Sequence, residues 1–242
     1  MPSTIISIDY TSSTNDYARS LLKKDNPAPF TVIFAYEQTR GKGQKNNSWH
    51  SAPGKNLTCS IIVYPYFLRP DQQFAINETV CLAIADVLNP IFKGFMIKWP
   101  NDIYYHRKKI GGILVENSLM GNSIEYVIIG IGLNINQTSF PGHLPNPVSL
   151  TQITGKKYNL NSILDSLLFC FEKRFHQLKK RDFEGLRKAY HQNLYLRYQY
   201  HCFRSEKGTF KGRILGVDLW GRLIIEAEDG QEYSFSFKEI AF

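Results

Sequence analysis

The sequence predicts an α+β fold followed by a small all-β unit, and three observations carry that prediction. Short apolar segments of strand length recur through the first half of the chain, separated by polar loops. Two stretches, 71–88 and 161–178, hold apolar residues at helical spacing. Beyond Leu194 the pattern shortens into strands punctuated by turn residues.

Ile5-Ile6-Ser7-Ile8 reads as a first strand. Ser12-Ser13-Thr14-Asn15-Asp16 then supplies capping side chains ahead of Tyr17, Ala18, Leu21 and Leu22 at helical spacing. A strand at 31–36 leads into a polar loop over 39–51, and 57–63 reads as the next strand. The helix at 71–88 places Phe74, Val80, Ile84 and Leu88 near one face. Strands follow at 94–99, 109–118 and 124–131, and Pro100 ends the first because it has no backbone N–H for the ladder. Ile163, Leu164, Leu167, Leu168, Phe171, Phe175 and Leu178 form the stripe of a long amphipathic helix, which is core. Lys207-Gly208, Leu215-Gly216, Trp220-Gly221 and Asp229-Gly230 mark turns in the last part, whose length suits a small SH3-like barrel leaning on its neighbour for a core.

At 242 residues, with 43% hydrophobic and 21% charged residues, the composition is that of an ordinary globular protein. No apolar run approaches the roughly 20 residues that span a bilayer, and Met1-Pro2-Ser3-Thr4-Ile5 lacks the pattern of an export signal, so a cytoplasmic, membrane-free protein is expected. Cys59, Cys81, Cys170 and Cys202 show no Cys-x-x-Cys pairing, which reads as reduced, mostly buried thiols and argues against structural zinc. The net charge of +8 favours anionic partners, without choosing among phosphates, acidic protein surfaces and nucleic acid.

Chemistry concentrates in Lys98-Trp99-Pro100-Asn101-Asp102 and, seven residues on, Lys109-Ile110-Gly111-Gly112. Two lysines, an amide and a carboxylate beside a Gly-Gly pair suit an anionic, nucleotide-like reactant, because glycine lets a ligand approach the backbone. Gly41-Lys42-Gly43-Gln44-Lys45 is a glycine-spaced basic loop in which amides and lysines can meet an anion, though it lacks the Gly-Lys-Ser/Thr ending of a P-loop and reads equally as a solvated turn. Trp49 closes over a base or packs on the sheet.

Together with the Ser13-Thr14-Asn15 turn and Gly130-Ile131-Gly132-Leu133-Asn134-Ile135-Asn136, these segments resemble the biotin protein ligase family along almost the whole chain. The resemblance implies a mixed-sheet catalytic domain of the biotin/lipoate ligase type over 1–193 and an SH3-like C-terminal domain over 194–242. It implies that biotin and ATP form biotinyl-5′-AMP, and that a lysine of a biotin carboxyl carrier domain then takes the biotin. Lys109 matches the catalytic lysine. Ser13, Thr14, Asn15, Gln38, Gly41, Lys42, Gly112, Gly132 and Leu133 match biotin contacts, complementary to a ring with two N–H donors and one carbonyl. Lys42, Gly43, Gln44, Trp49, Asn101, Asp102, Lys109 and Asn134 match the nucleotide side, and Asp102 also reads as a buried structural group. Mg2+ is expected with ATP, with no ligands assigned. The C-terminal domain is expected to assist ATP and carrier binding without contributing to the biotin pocket.

Two departures stand out. The family usually shows Gly-Arg-Gly followed by arginine or glutamine, whereas this chain has Gly41-Lys42-Gly43-Gln44 and then Lys45-Asn46-Asn47 where Arg-Gly is common, so retention of the adenylate is expected to be weaker, since lysine lacks the planar fork of arginine. A first strand at Ile5 leaves no room for an N-terminal helix-turn-helix, so the expectation is a ligase without a DNA-binding function. The family includes monomers and dimers, and a homodimer stays open. A lipoate protein ligase and a basic, non-catalytic nucleic-acid-binding protein are the competing readings.

Overall fold

The computed structural model describes residues 4–44 and 47–242, so Lys45 and Asn46 of the basic loop lie outside the described residues. Seven strands form the main sheet in the order β1 (Ile5–Thr11), β2 (Thr31–Gln38), β5 (Leu57–Val63), β9 (Ser123–Leu133), β8 (Lys108–Met120), β7 (Asp102–Tyr105), β6 (Phe95–Lys98). Only β1 and β2 run parallel, joined through α1 (Thr14–Lys24), and every other pair is antiparallel, so the sheet is mixed. Two-residue strands β3 (Gly41–Lys42) and β4 (Ser48–Trp49) pair with each other inside the predicted polar loop.

Alternation assigns the two faces. In β9, Val127, Ile129, Ile131 and Leu133 join the large core beneath α2 (Phe74–Ile91) and α4 (Leu160–Lys179), while Ile128 packs with Ala18, Ile33 and Ile62 under α1. Helix α2 packs on α4 and on α5 (Phe183–Gln192). Sequence reading found no membrane-length run, yet Pro70–Ile91 is long and apolar enough by composition to cross one. Here it is a core helix, 72% buried, because other helices and the sheet cover it. The short helix α3 (Leu150–Thr154), α5 and β7 are elements that the sequence did not announce.

Strands β10 (Tyr200–Ser205), β11 (Gly208–Val217), β12 (Leu223–Ala227), β13 (Glu232–Phe235) and β14 (Ile240–Ala241) form an antiparallel sheet in the order β13-β12-β11-β10-β14, the small β unit expected. Its buried residues Phe203, Ile214, Leu223 and Ile225 are continuous with the main core. Of the four free cysteines, Cys59 and Cys81 are buried, Cys170 is intermediate and Cys202 is exposed, so the thiols are less uniformly buried than expected.

Candidate active site cleft

A cleft of about 560 Å³ opens on the α1 face of the sheet, a size suited to a small-molecule ligand. Two cross-strand rows supply its floor at Gly112, Gly130 and Gly132, with Thr58 and Ser60 buried at their ends outside the lining. Lys98, Asp102, Gly112, Gly132 and Thr58 are successive register partners across β6, β7, β8, β9 and β5, and Leu114, Gly130 and Ser60 form the neighbouring row. Partners in an antiparallel ladder share a face, so the glycines leave a shallow trough where larger side chains would stand. A Cβ on Gly130 would collide with Asn15 Oδ1, and one on Gly132 with the Trp49 ring.

The Ser13-Thr14-Asn15 turn is buried at the start of α1; Ser13 makes no side-chain cap hydrogen bond, whereas the side chains of Thr14 and Asn15 are held by the fold. Thr14 donates from its backbone N–H and its hydroxyl to Gln38 Oε1, at 2.8 and 3.1 Å. Ser60 lies 2.7 Å from Thr14 Oγ1 and donates to Asn15 Oδ1 at 2.6 Å, while Asn15 Nδ2 donates to Glu116 Oε2 at 2.7 Å. The amide is thereby fixed in orientation at the edge of the trough.

Lys109 reaches the cleft through a β-bulge. Asp102 pairs with Gly112 and Ile103 with Gly111, but Tyr104 pairs with Lys109, so β8 carries one extra residue. That slip turns Ile110 into the core and Lys109 toward the cleft, where Nζ lies 2.7 Å from Asp102 Oδ1 and 5.9 Å from the Trp49 ring centroid. The Lys109 backbone is held on its other side: its N–H donates to the Asn146 carbonyl and its carbonyl accepts from Val148, both at 2.9 Å.

The turn after β6 is tied from three directions. The Trp99 indole donates to the Gly221 carbonyl at 2.8 Å, and Asn101 pairs with Ile113 through backbone and side chain. The Pro100 carbonyl accepts from Asn77 Nδ2 at 2.6 Å and from the Tyr190 hydroxyl at 2.9 Å. Burial pushes the Tyr190 phenol far above its usual range, with the nearby Cys81, Glu78 and Asp102 adding to the shift, so it stays a donor.

Opposite stands the loop from Lys42 to Trp49. Lys42 lines the cleft but places its ammonium 2.7 Å from Asp16 Oδ1, outside the lining. Burial alone would raise the Asp16 carboxyl; the Lys42 hydrogen bond and charge, with Arg19, outweigh it and hold the group below the usual carboxylate range. Trp49 Nε1 and Gln44 Oε1 are buried in this wall without a hydrogen-bond partner.

The C-terminal sheet closes the cleft. Phe237, Lys238, Ile240, Ala241 and Phe242 line it, Lys238 from a left-handed backbone conformation that is uncommon for lysine. Lys98 donates to the Phe242 carbonyl at 3.0 Å and lies over the Phe242 and Tyr104 rings. Burial, then the charge of Lys109, lowers its pKa against the pull of Asp102.

The structure thus gathers Ser13, Thr14, Asn15, Gln38, Lys42, Gly43, Gln44, Trp49, Asn101, Asp102, Lys109, Gly112 and Gly132 around one cleft. It does not bring Gly41, Leu133 or Asn134 into the lining. Gly41 packs under the Trp49 carbonyl, leaving no space for a Cβ. Leu133 points to the core face by the alternation of β9. Asn134 props the loop behind Lys109, its side chain donating to the Val148 carbonyl at 3.2 Å. Sequence reading missed the lining residues Phe237, Lys238, Ile240, Ala241 and Phe242 and the supports Ser60 and Tyr190, which lie far from the motifs along the chain, and it gave Asp16 and Glu116, beside the motifs, no role in the site. Among the described residues, no three His, Cys, Asp or Glu side chains converge as a metal site.

A model of the Biotin/lipoate A/B protein ligase family matches residues 7–134, more than half of the chain. The bifunctional ligase/repressor BirA of Bacillus spizizenii is 34% identical over 236 residues, covering 94% of this chain and 71% of that one. The chain belongs to the biotin/lipoate A/B protein ligase family. A biotin–[acetyl-CoA-carboxylase] ligase of Paracoccus denitrificans is 28% identical over 233 residues, 92% of this chain and 94% of its own. A solved structure titled biotin protein ligase from Aquifex aeolicus in complex with biotin and ATP shares the fold, with a TM-score of 0.82 at 24% identity over 98% of this chain and 97% of that one. The span matched by the ligase family contains every site residue named from the sequence, while the cleft wall from Phe237 to Phe242 lies beyond it.

Proposed function

We propose that this chain is an ATP-dependent biotin protein ligase. The observation that carries the reading is the meeting of Lys109 and the Ser13-Thr14-Asn15 turn across one glycine floor. Thr14, Asn15 and Gln38 offer donors and acceptors complementary to the ureido ring of biotin, and Gly112, Gly130 and Gly132 admit its flat bicycle. The biotin carboxylate then lies toward Lys109.

In the first step a carboxylate oxygen attacks the α-phosphorus of ATP, forming the biotinyl-5′-AMP anhydride as pyrophosphate leaves. Lys109 neutralises charge shared between carboxylate and phosphate, an interaction strongest where charge develops in the transition state. Asp102 holds that ammonium in place. In the second step the amine of a carrier lysine attacks the acyl carbon; an amide forms, AMP leaves, and the amine proton passes to solvent. The carrier is a domain of the biotin carboxyl carrier type, and no DNA is needed for either step.

Lys42, Lys98 and Lys238 add positive charge around the phosphates, and the unpartnered Trp49 and Gln44 polar atoms are available to the nucleotide. Asp102 is the only carboxylate side chain in the described lining and is already paired with Lys109. Mg2+ is therefore expected to enter on the triphosphate, coordinated mainly by phosphate and water oxygens. We assign 1–193 to biotin and ATP binding and 194–242 to ATP and carrier binding. The Phe237 to Phe242 wall supports that second assignment.

Pyrophosphate exchange into ATP tests the reading. Exchange driven by biotin and not by lipoate is expected; exchange driven by lipoate alone, or none, overturns it.

A further inference from the structure

Among the described residues of the 41–49 loop, the cation presented to the cleft, Lys42, is already paired. Lys42 Nζ lies 2.7 Å from Asp16 Oδ1, and that same oxygen accepts from Arg19 Nη1 at 2.7 Å. Arg19 Nη2 lies 2.6 Å from Glu116 Oε1, and the other Glu116 oxygen accepts from Asn15 at 2.7 Å. Two cations and two carboxylates form a neutral chain from the loop to the turn at the head of α1. Lys42 is its one member in the cleft lining and the most exposed, with 47% of its side chain accessible.

An anionic ligand entering the cleft meets this arrangement as a competitor. A carboxylate or phosphate oxygen can engage Lys42 by drawing it from Asp16, whose oxygen keeps Arg19 as a partner. Asp16 then shares Arg19 with Glu116, so the cost of the exchange is of the order of one half-exposed ion pair. Asp16 therefore subtracts from the affinity that Lys42 can give.

We propose that Asp16 is an affinity-setting residue: an internal anion that competes with the bound acyl-adenylate for Lys42. The proposal rests on the ligase reading and deepens it, because it locates a second determinant of adenylate retention outside the cleft, beside the lysine that the family usually replaces with arginine.

The test is the binding of a non-hydrolysable acyl-sulfamate analogue of biotinyl-5′-AMP to the full chain, by calorimetry and by dissociation rate, in a double-mutant cycle. Asp16→Asn is expected to tighten binding and slow release about two- to fivefold, or about 0.4 to 1 kcal/mol, the range of a half-exposed pair. In a Lys42→Met background the gain disappears. Asp16→Ser, which keeps a hydroxyl at the first turn of α1, gives the same result by a second route. Unchanged or weaker binding in both variants overturns the proposal. So does an equal gain with Lys42 absent, which assigns the effect to the general field of the carboxylate. A wild-type chain that fails to bind the analogue instead overturns the ligase reading, and the proposal with it.

Discussion

Asp102 Oδ1 and Lys109 Nζ meet at 2.7 Å because β8 carries one more residue than β7 between Ile103 and Tyr104. Regular alternation from Gly112 would turn position 110 toward the cleft; the bulge gives that place to Lys109 and sends Ile110 into the core. A charged group is thus held at the cleft by an apolar neighbour and by two backbone hydrogen bonds to the 146–148 loop.

Lys109→Ala is expected to slow adenylation at least ~100-fold, the scale of losing a group aimed at developing charge. The side chain is partly exposed and its removal leaves Asp102 accessible to water, so the melting temperature should move little. Single-turnover formation of biotinyl-5′-AMP measures the first effect and thermal melting the second. A folded mutant with near-normal turnover contradicts the assigned role.

Gly130→Ala places a methyl against Asn15 Oδ1, an amide pinned by Ser60 and Glu116. Asn15 has to move, so biotin binding should weaken tenfold or more, with a stability cost of about 1 to 3 kcal/mol from overpacking. Calorimetric titration with biotin checks this. Gly121, in the turn between β8 and β9 and with nothing near its missing Cβ, provides a positive-φ control that should leave biotin affinity unchanged.

Tyr190→Phe removes one of the two donors to the Pro100 carbonyl while keeping the ring buried. The loss should cost about 1 kcal/mol of stability. Because that carbonyl belongs to the turn carrying Asn101 and Asp102, kcat for adenylation should fall severalfold while the Kd for biotin holds. Parallel losses in both would mean a purely structural role.

His191 predicts an acid-sensitive joint between α5 and the C-terminal sheet. Its Nε2 accepts from the Val217 N–H at 2.8 Å, and burial, aided by the charge of Arg197, lowers its pKa to about 4. A histidine whose folded pKa is depressed stabilises the fold above about pH 6.5, and that contribution is lost as the pH falls toward about 4. Glu78 acts in the opposite sense: burial, only partly offset by Arg187, raises it to about 7, so its contribution grows as the pH falls from 7 toward 4.5. His191→Gln should therefore gain stability relative to the wild type as the pH drops through this window. Equal pH profiles of thermal unfolding for both proteins would contradict it.

What the sequence made legible was local. The helix start within 12–16, the strand at 124–131 and the long stripe of α4 each hold their information within a few residues and each forms where it was read, although Ser13 stands at the N-cap without a side-chain cap hydrogen bond. Leu133 falls outside the lining because a single residue of parity decides which face its side chain occupies, and Asn134 because its partner, Val148, belongs to a loop with no pattern of its own. Lys238 and Phe242 could not be tied to Lys109 by spacing, since only the docking of the second sheet brings them to the cleft. The bulge at Ile110 was equally invisible: Lys109-Ile110-Gly111 reads the same with or without it, and pairing with β7, a strand of four residues, creates it.

The central claim, that this cleft activates biotin and delivers it to a protein lysine, is tested most directly by incubating the chain with biotin, ATP, Mg2+ and an isolated biotin carboxyl carrier domain. Intact-mass measurement of the carrier reads the outcome. The account predicts one biotinyl group per carrier, dependent on ATP and lost with Lys109→Ala. An unmodified carrier, or modification that persists without Lys109, would contradict it.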